Sequence, residues 1–176
     1  MAHDIAVALN RVRTVLRQRP TAGLHDDAPA TVRWQGGLEM IASHPNGHRI
    51  VSDMPVEMGG AGTNVTPGWM FRAGLAACAA TCIAMEAAAR GVTLTALQVD
   101  VRSRSDTCGL LGLPDESGST VGAGPRDVSL QVRIGATDID GAELLALVED
   151  AVERSPVPCA VRTETPIELL IEVEPA

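Results

Sequence analysis

Residues 64–92, NVTPGWMFRAGLAACAATCIAMEAAARGV, decide the fold, because their pattern predicts one long central helix. Thr66 has the short side-chain oxygen favoured at a helix N-cap, Pro67 suits the first helical position, and Gly91 is typical of the residue just past a helix end. A helix from Pro67 to Arg90 would be about 36 Å long, at about 1.5 Å per residue. Its side chains are mostly alanine, so neighbouring elements can approach it closely.

Composition limits the possible functions. The chain has 176 residues, 45% of them hydrophobic, and a net charge of −8, which is enough apolar material for a core in one or two domains. With two Trp, one Phe and no Tyr, it lacks the basic grooves and stacking rings of nucleic-acid-binding proteins. There is no lysine, so every basic side chain other than histidine is an arginine. A cationic side chain placed beside a reactive group will therefore be a guanidinium or a histidine.

The first 20 residues predict an amphipathic helix. From residue 4 to residue 19, apolar side chains recur at helical spacing with four arginines between them, and Pro20 ends the pattern. The segment has no continuous apolar core of the kind a signal peptide requires. We therefore expect residues 1–27 to form a helix and linker that dock on the domain or on a partner subunit. Residues 28–176 should form the main domain of a cytoplasmic protein.

The central helix is long enough to raise the question of a membrane span. Arg72 and Glu86 leave 13 uncharged residues between them, whereas a bilayer requires roughly 20 apolar residues. We therefore expect no membrane association.

Three short extended stretches before the central helix, at residues 31–35, 38–43 and 49–53, predict a β-meander. Gly36-Gly37 separates the first two stretches, and Asn46-Gly47, a strong hairpin signal, separates the last two. A glycine-rich loop, MGGAGTNVTP, then leads into the helix. Such a loop either cradles an anion at the helix N-terminus or lets backbones approach closely, and it lacks the lysine of a phosphate-binding loop.

After the central helix, alternating apolar residues predict two antiparallel strands, at residues 97–104 and 128–134, separated by a polar loop. Asp140 and Glu143 then indicate the start of an amphipathic helix that ends at Ser155-Pro156. Residues 155–166 are expected to turn the chain, and residues 167–173 alternate as a last strand. This order of elements predicts an α+β fold.

Two cysteines lie on the central helix. Cys78 and Cys82 are four residues apart, so their Cβ atoms lie on one helix face about 5–6 Å apart. A disulfide requires Cβ atoms about 3.5–4.5 Å apart, so a bridge between them would strain an intact helix. Together with Cys108 and Cys159, they are expected to be reduced in a cytoplasmic protein. The histidines show no zinc-ligand spacing, and we expect neither a metal nor a cofactor.

Cys78 is either a small hydrophobic side chain of a buried helix or a nucleophile. A nucleophilic cysteine reacts as a thiolate, and in the middle of a helix it gains little from the helix dipole. An arginine would have to assist it. Arg72 lies about 120° away around the helix and points elsewhere. Arg33, Arg49 and Arg162 are candidates that would approach from other elements.

The run TPGWMFRAGLAACAATCIAM, residues 66–85, resembles the cysteine-bearing central helix of the OsmC/Ohr family, whose motif is close to N/S-P-E-x-L-x-x-A-x-x-A-C. The preceding GGAGTN, the segment SRSDTCGLLG (similar to the family's D-x-R-G-x-x-G) and the closing strand–helix–Ser-Pro–strand unit also fit. Together they cover about residues 28–174. The resemblance implies an intertwined α+β homodimer, with antiparallel sheets around the long helix and active sites at the subunit interface.

The resemblance also implies thiol chemistry. Members of the family reduce organic hydroperoxides: a thiolate becomes a sulfenic acid, a second cysteine closes a disulfide, and a dithiol reductant regenerates the enzyme. Cys78 falls on the peroxide-reacting position. Ser155 stands where the family's second thiol belongs, and Gly68 replaces a glutamate that helps to hold an activating arginine. Cys159, or Cys82 if the helix opens locally, is the candidate resolving thiol.

Two functions are consistent with these residues. The first is a peroxidase in oxidative stress defence that reduces organic hydroperoxides through Cys78, with a non-standard or external resolving thiol. The second is a divergent, non-enzymatic family member that binds a small hydrophobic ligand at the dimer interface. The retained Ala-Ala-Cys helix favours the first function, whereas Ser155 and Gly68 favour the second.

Overall fold

The computed structural model of the protein describes residues 2–163 and 165–174. Its helices are α1 (Ala2–Gln18), α2 (Pro67–Arg90), α3 (Thr107–Leu111), α4 (Gly141–Glu153) and α5 (Pro156–Arg162). Its strands are β1 (Thr31–Gly36), β2 (Glu39–Ser43), β3 (Arg49–Ser52), β4 (Thr93–Arg104) and β5 (Arg126–Thr137). Two short 3₁₀ helices lie at Pro20–Gly23 and Val56–Met58. The chain has the predicted α+β fold.

The bounds of α2 confirm the predicted central helix. The Thr66 side chain accepts a hydrogen bond from the Trp69 backbone N–H at 3.1 Å, and Pro67 occupies the first turn. At the other end Gly91 adopts the left-handed conformation, with φ of +74°. Glycine reaches this conformation without a steric penalty, so the helix ends there.

Both sheets are antiparallel. The strands β1, β2 and β3 form the predicted meander in that order, and β4 pairs with β5 with Val99 opposite Val132. Gly47, with φ of +94°, makes the turn between β2 and β3. The two sheets lie before and after α2 in the chain, so the helix connects them.

The core forms where α2 and α4 meet the β4–β5 sheet. Its buried centre consists of four side chains, two from each helix: Ile83, Ala87, Leu147 and Ala151. Apolar residues of both strands pack against it, among them Leu97, Val99, Val132 and Ile134. The alanines of α2 let α4 approach closely enough to close this core, as the composition of the central helix predicted.

The N-terminal helix α1 packs on α2. Every residue of α1 that the structure describes remains at least partly exposed, so α1 covers the surface of the domain and adds nothing to its core. By length and composition α2 is apolar enough to cross a membrane. In the structure it packs against α1, β4, α4 and α5.

Two predictions near the C-terminus are wrong. Part of the segment expected to turn the chain is helical, because Pro156 at the first helical position starts the short helix α5. Residues 167–173 belong to no strand in the described chain, and their side chains are exposed. An alternating apolar segment forms a strand only where an open sheet edge supplies its hydrogen bonds. Among the described residues, none pairs with residues 167–173.

An ion-pair cluster ties α2 to α4. Glu86 contacts Arg90 at 2.6 Å and Arg154 at 2.9 Å, and Arg90 also contacts Asp150 at 2.6 Å. Partial burial opposes ionisation of Glu86, but the Arg90 hydrogen bond and the charges of Arg154, Arg90 and Arg13 outweigh it. The pKa of Glu86 therefore lies below its ordinary value of 4.5.

The lowered pKa of Glu86 gives the stability a pH dependence. The ionised carboxylate stabilises the fold above pH 4.5, and this contribution is lost as the pH falls through the lower pKa of the folded state. Glu86→Gln should therefore lower the free energy of unfolding by about 1 kcal/mol at pH 7 and by less at pH 3.5. Urea unfolding at both pH values measures this, with the exposed Glu149→Gln on α4 as the control. An equal loss at both pH values would contradict the assignment.

Candidate active site

Cys78 lies near the middle of α2, half-buried, with the buried Leu75 and Ala79 close to it in the sequence. Two hydrogen bonds are donated to its sulfur. The Ser155 hydroxyl donates at an oxygen–sulfur distance of 3.1 Å, and the Val157 backbone N–H donates at 3.5 Å. The sulfur is thus an acceptor for both groups.

Ser155 is completely buried, at 0% exposure. It lies at the N-cap of α5, where a serine side chain ordinarily accepts a hydrogen bond from the start of the helix. Here the side chain makes no such capping bond, and its hydroxyl donates to Cys78 instead. The hydrogen bond from Ser155 to Cys78 thus replaces the usual N-cap hydrogen bond.

This contact bears on the resemblance to the OsmC/Ohr motif. The resemblance implied that Ser155 occupies the position of the family's second thiol, and the structure brings that position against Cys78. A hydroxyl oxygen cannot form a disulfide. Ser155 can therefore donate a hydrogen bond to Cys78 but cannot form the disulfide that a second cysteine would form.

The structure keeps the proposed resolving thiols out of this contact. The Cys159 thiol donates to the Glu153 carbonyl at 2.8 Å and accepts from the Arg162 guanidinium at 3.7 Å. Cys82 is half-buried against the core. In the described part of the chain no hydrogen bond joins either cysteine to Cys78, and all four cysteines are free thiols.

Arg72 and the candidate arginines contact other groups or lie at the surface. The Arg72 guanidinium contacts the Ser103 hydroxyl at 3.4 Å, as its position around the helix predicted. The Arg162 guanidinium donates to the Val152 and Glu153 carbonyls at 3.1 and 3.2 Å. Arg33 and Arg49 lie exposed on β1 and β3. Among the described residues, no arginine donates a hydrogen bond to the Cys78 sulfur.

The glycine-rich loop before α2 wraps around a carboxylate of its own. Buried Asp53 accepts backbone hydrogen bonds from Met54, Ala61 and Gly62 at 2.7, 2.8 and 3.0 Å. A Cβ atom at Gly60 would overlap the Met54 carbonyl, so the loop requires glycine there. These contacts support close backbone approach as the role of the loop, because the Ala61 and Gly62 N–H groups are already bonded to Asp53.

The sequence does not point to the backbone N–H of Val157, because residues 155–166 are expected only to turn the chain. The available signal was Ser155-Pro156, an N-cap residue followed by a proline suited to the first helical position. The helix α5 that follows holds this N–H toward Cys78.

Comparison with known proteins shows the family of the chain. The family model of the OsmC-like protein matches residues 60–170, which include the central helix, Cys78 and Ser155. Among curated proteins, none matches the chain in sequence.

Solved structures share the fold. An OsmC-like protein from Mycoplasma pneumoniae is 18% identical, with a TM-score of 0.65, 80% of this chain and 91% of that chain being covered. An organic hydroperoxide resistance protein OsmC from Legionella pneumophila is 23% identical, with a TM-score of 0.56 and coverage of 79% and 91%. The organic hydroperoxide resistance protein OhrB of Bacillus subtilis is 21% identical, with a TM-score of 0.50 and coverage of 79% and 93%. Because the family model covers well over half of its residues, the chain belongs to the OsmC-like protein family.

Proposed function

We propose that the protein reduces organic hydroperoxides through Cys78 and relies on an external thiol to complete the cycle. The observation that carries this proposal is the contact of 3.1 Å between the Ser155 hydroxyl and the Cys78 sulfur. It places a hydrogen-bond donor, which cannot form a disulfide, at the position next to the reacting thiol.

The first step consumes the peroxide. The Cys78 thiolate attacks one oxygen of the hydroperoxide ROOH, the O–O bond breaks, and the alkoxide leaves and takes up a proton to become the alcohol ROH. Cys78 is oxidised to a sulfenic acid. The Ser155 hydroxyl and the Val157 N–H hold the sulfur in one orientation during this step.

The second half of the cycle uses two equivalents of an external thiol, or both thiols of a dithiol. The first attacks the sulfenic sulfur and forms a mixed disulfide with release of water. The second attacks the external sulfur of that disulfide and returns Cys78 to the thiol. Cys78 is only half-buried, and the proposal requires that an external thiol can reach it.

The comparisons support this chemistry at the level of the family. Two of the solved structures with the same fold, from Legionella pneumophila and Bacillus subtilis, are organic hydroperoxide resistance proteins. The chain shares with them a fold rather than a close sequence, so its substrate and mechanism rest on the residues around Cys78.

The function is tested by turnover of cumene hydroperoxide with dithiothreitol as the reductant. We expect steady consumption above the rate with heat-denatured protein. Cys159→Ser should retain most of the rate, because the Cys159 thiol bonds to the Glu153 carbonyl and takes no part in the cycle. If wild-type protein consumes no peroxide with any thiol, the chain would instead be the non-enzymatic member of its family that binds a hydrophobic ligand.

We also propose that two copies assemble into a homodimer through the C-terminal segment. Residues 167, 169, 171 and 173 are isoleucine, leucine, isoleucine and valine, and they are 75% to 91% exposed. An exposed run of alternating apolar side chains is suited to pair with the open edge of a sheet in a second copy. In this proposal, residues 167–173 form a strand only when a second copy of the chain supplies the sheet edge.

Substitutions in this segment test the homodimer. Leu169→Asp combined with Ile171→Asp should shift the protein from the mass of two chains to the mass of one in sedimentation, because the charges cannot be buried at an interface. Glu172→Gln, on the opposite side of the same segment, should leave the mass unchanged. A wild-type protein that sediments as one chain at micromolar concentration would contradict the proposal.

A further inference from the structure

A cleft of about 560 Å³ opens beside the first turns of α2, and Cys78 is not among its lining residues. Its lining comes from the segment around the 3₁₀ helix Val56–Met58, from the start of α2, from α3 with the residues before it, and from Ala123 and Pro125. The cleft is mostly apolar, with Met54, Met58, Phe71 and Leu110 in its walls. Its volume is in the range of small-molecule sites, which is about 300–1,000 Å³.

One positive charge in the cleft has no negative partner among the residues that the structure describes. Arg72 lines the cleft, and its guanidinium makes a long contact of 3.4 Å with the neutral Ser103 hydroxyl. No carboxylate of the described chain forms an ion pair with it. The acidic residue of the cleft, Asp106, is already engaged by the Arg126 guanidinium at 2.8 Å and by the Cys108 backbone N–H at 3.0 Å.

Gly68 leaves the side of this guanidinium open. A Cβ atom built at Gly68 would lie 3.8 Å from the Arg72 Nη1 atom, so any longer side chain there would lie against the charge. With glycine, that space belongs to the cleft. A planar guanidinium next to an open space is suited to bind a carboxylate through two parallel hydrogen bonds.

We propose that this cleft binds a monocarboxylate with an apolar tail, with the carboxylate on Arg72 and the tail between Met54, Met58, Phe71 and Leu110. The single guanidinium matches one negative charge. A phosphate dianion would be less well compensated and would lie near the Asp106 carboxylate. Methionine side chains adapt to tails of different shape, which suits an aliphatic chain. This site is additional to the peroxide chemistry at Cys78.

The test is calorimetric titration of the full-length protein with decanoate, and with decan-1-ol as a probe that has the same tail without the charge. Arg72→Gln should weaken decanoate binding about tenfold or more and leave decanol binding unchanged. Arg102→Gln removes the same charge from the exposed surface of β4 and should change neither affinity. Gly68→Glu, which keeps Arg72 but places a competing carboxylate beside it, should also weaken decanoate binding selectively.

Three outcomes would overturn the proposal: equal affinity for decanoate and decanol, no change in Arg72→Gln, or no binding of millimolar decanoate. If a second copy of the chain fills the cleft, decanoate will not bind and Arg72→Gln will change the mass of the oligomer, which also refutes it. Repeating the titration in Cys78→Ser separates this site from the peroxidase. Binding should persist there, whatever the result of the turnover assay.

Discussion

Cys78→Ser is expected to reduce hydroperoxide turnover by about 10³-fold or more, because a serine hydroxyl lacks the nucleophilicity of a thiolate toward peroxide oxygen. The substitution preserves the approximate size of the side chain and leaves a hydrogen-bonding atom next to Ser155. The fold should therefore persist. Cumene hydroperoxide consumption with dithiothreitol measures the loss, and circular dichroism verifies the helix.

Cys82→Ser provides a matched control, one turn further along the same helix. It changes the same atom type in α2 but lies against the core rather than against Ser155. We expect it to retain most of the turnover, with at most a modest loss of stability. Equal rates for wild type and Cys78→Ser would show that the chemistry belongs to another residue.

Ser155→Cys is expected to install the disulfide that the wild-type protein cannot form. The present oxygen–sulfur distance is 3.1 Å, so the two sulfurs would need to approach by about 1 Å to reach a disulfide length of about 2.05 Å. After one equivalent of hydroperoxide, the variant should lose two hydrogens in mass. Trapping of its sulfenic acid by dimedone should fall at least about tenfold below that of wild type.

The control for this variant is the same substitution in a Cys159→Ser background. If the new disulfide joins residues 78 and 155, removal of Cys159 should not change the mass shift. A variant in which dimedone still traps the sulfenic acid as well as in wild type would mean that residue 155 is not placed to react with Cys78.

The central helix could be predicted to the residue because its determinants are local. Thr66, Pro67 and Gly91 fix its ends through caps and turn conformations that do not depend on the rest of the fold. The β-meander was equally accessible, since Gly36-Gly37 and Asn46-Gly47 specify its turns. The pairing of residues 167–173 could not be predicted. Their apolar alternation is typical of a strand, but it does not specify which sheet edge, or which chain, would pair with them.

The candidate site could be predicted only in part. Cys78 and the position of Ser155 follow from a family motif, whereas the contact between them depends on how α4 and α5 pack against α2. The direction of the arginine side chains depends on tertiary packing too. Arg162 was a candidate for activating Cys78, yet it hydrogen-bonds to carbonyls at the end of α4. Helical spacing alone did exclude Arg72, which is on the same helix.

The most direct measurement of the central claim is mass spectrometry of the wild-type protein after one equivalent of cumene hydroperoxide, with dimedone present and no thiol. We predict a single dimedone adduct on the peptide that contains Cys78, which disappears when dithiothreitol is added before the dimedone. A disulfide from Cys78 to Cys159 or Cys82, or a Cys78 that stays unmodified, would contradict the account.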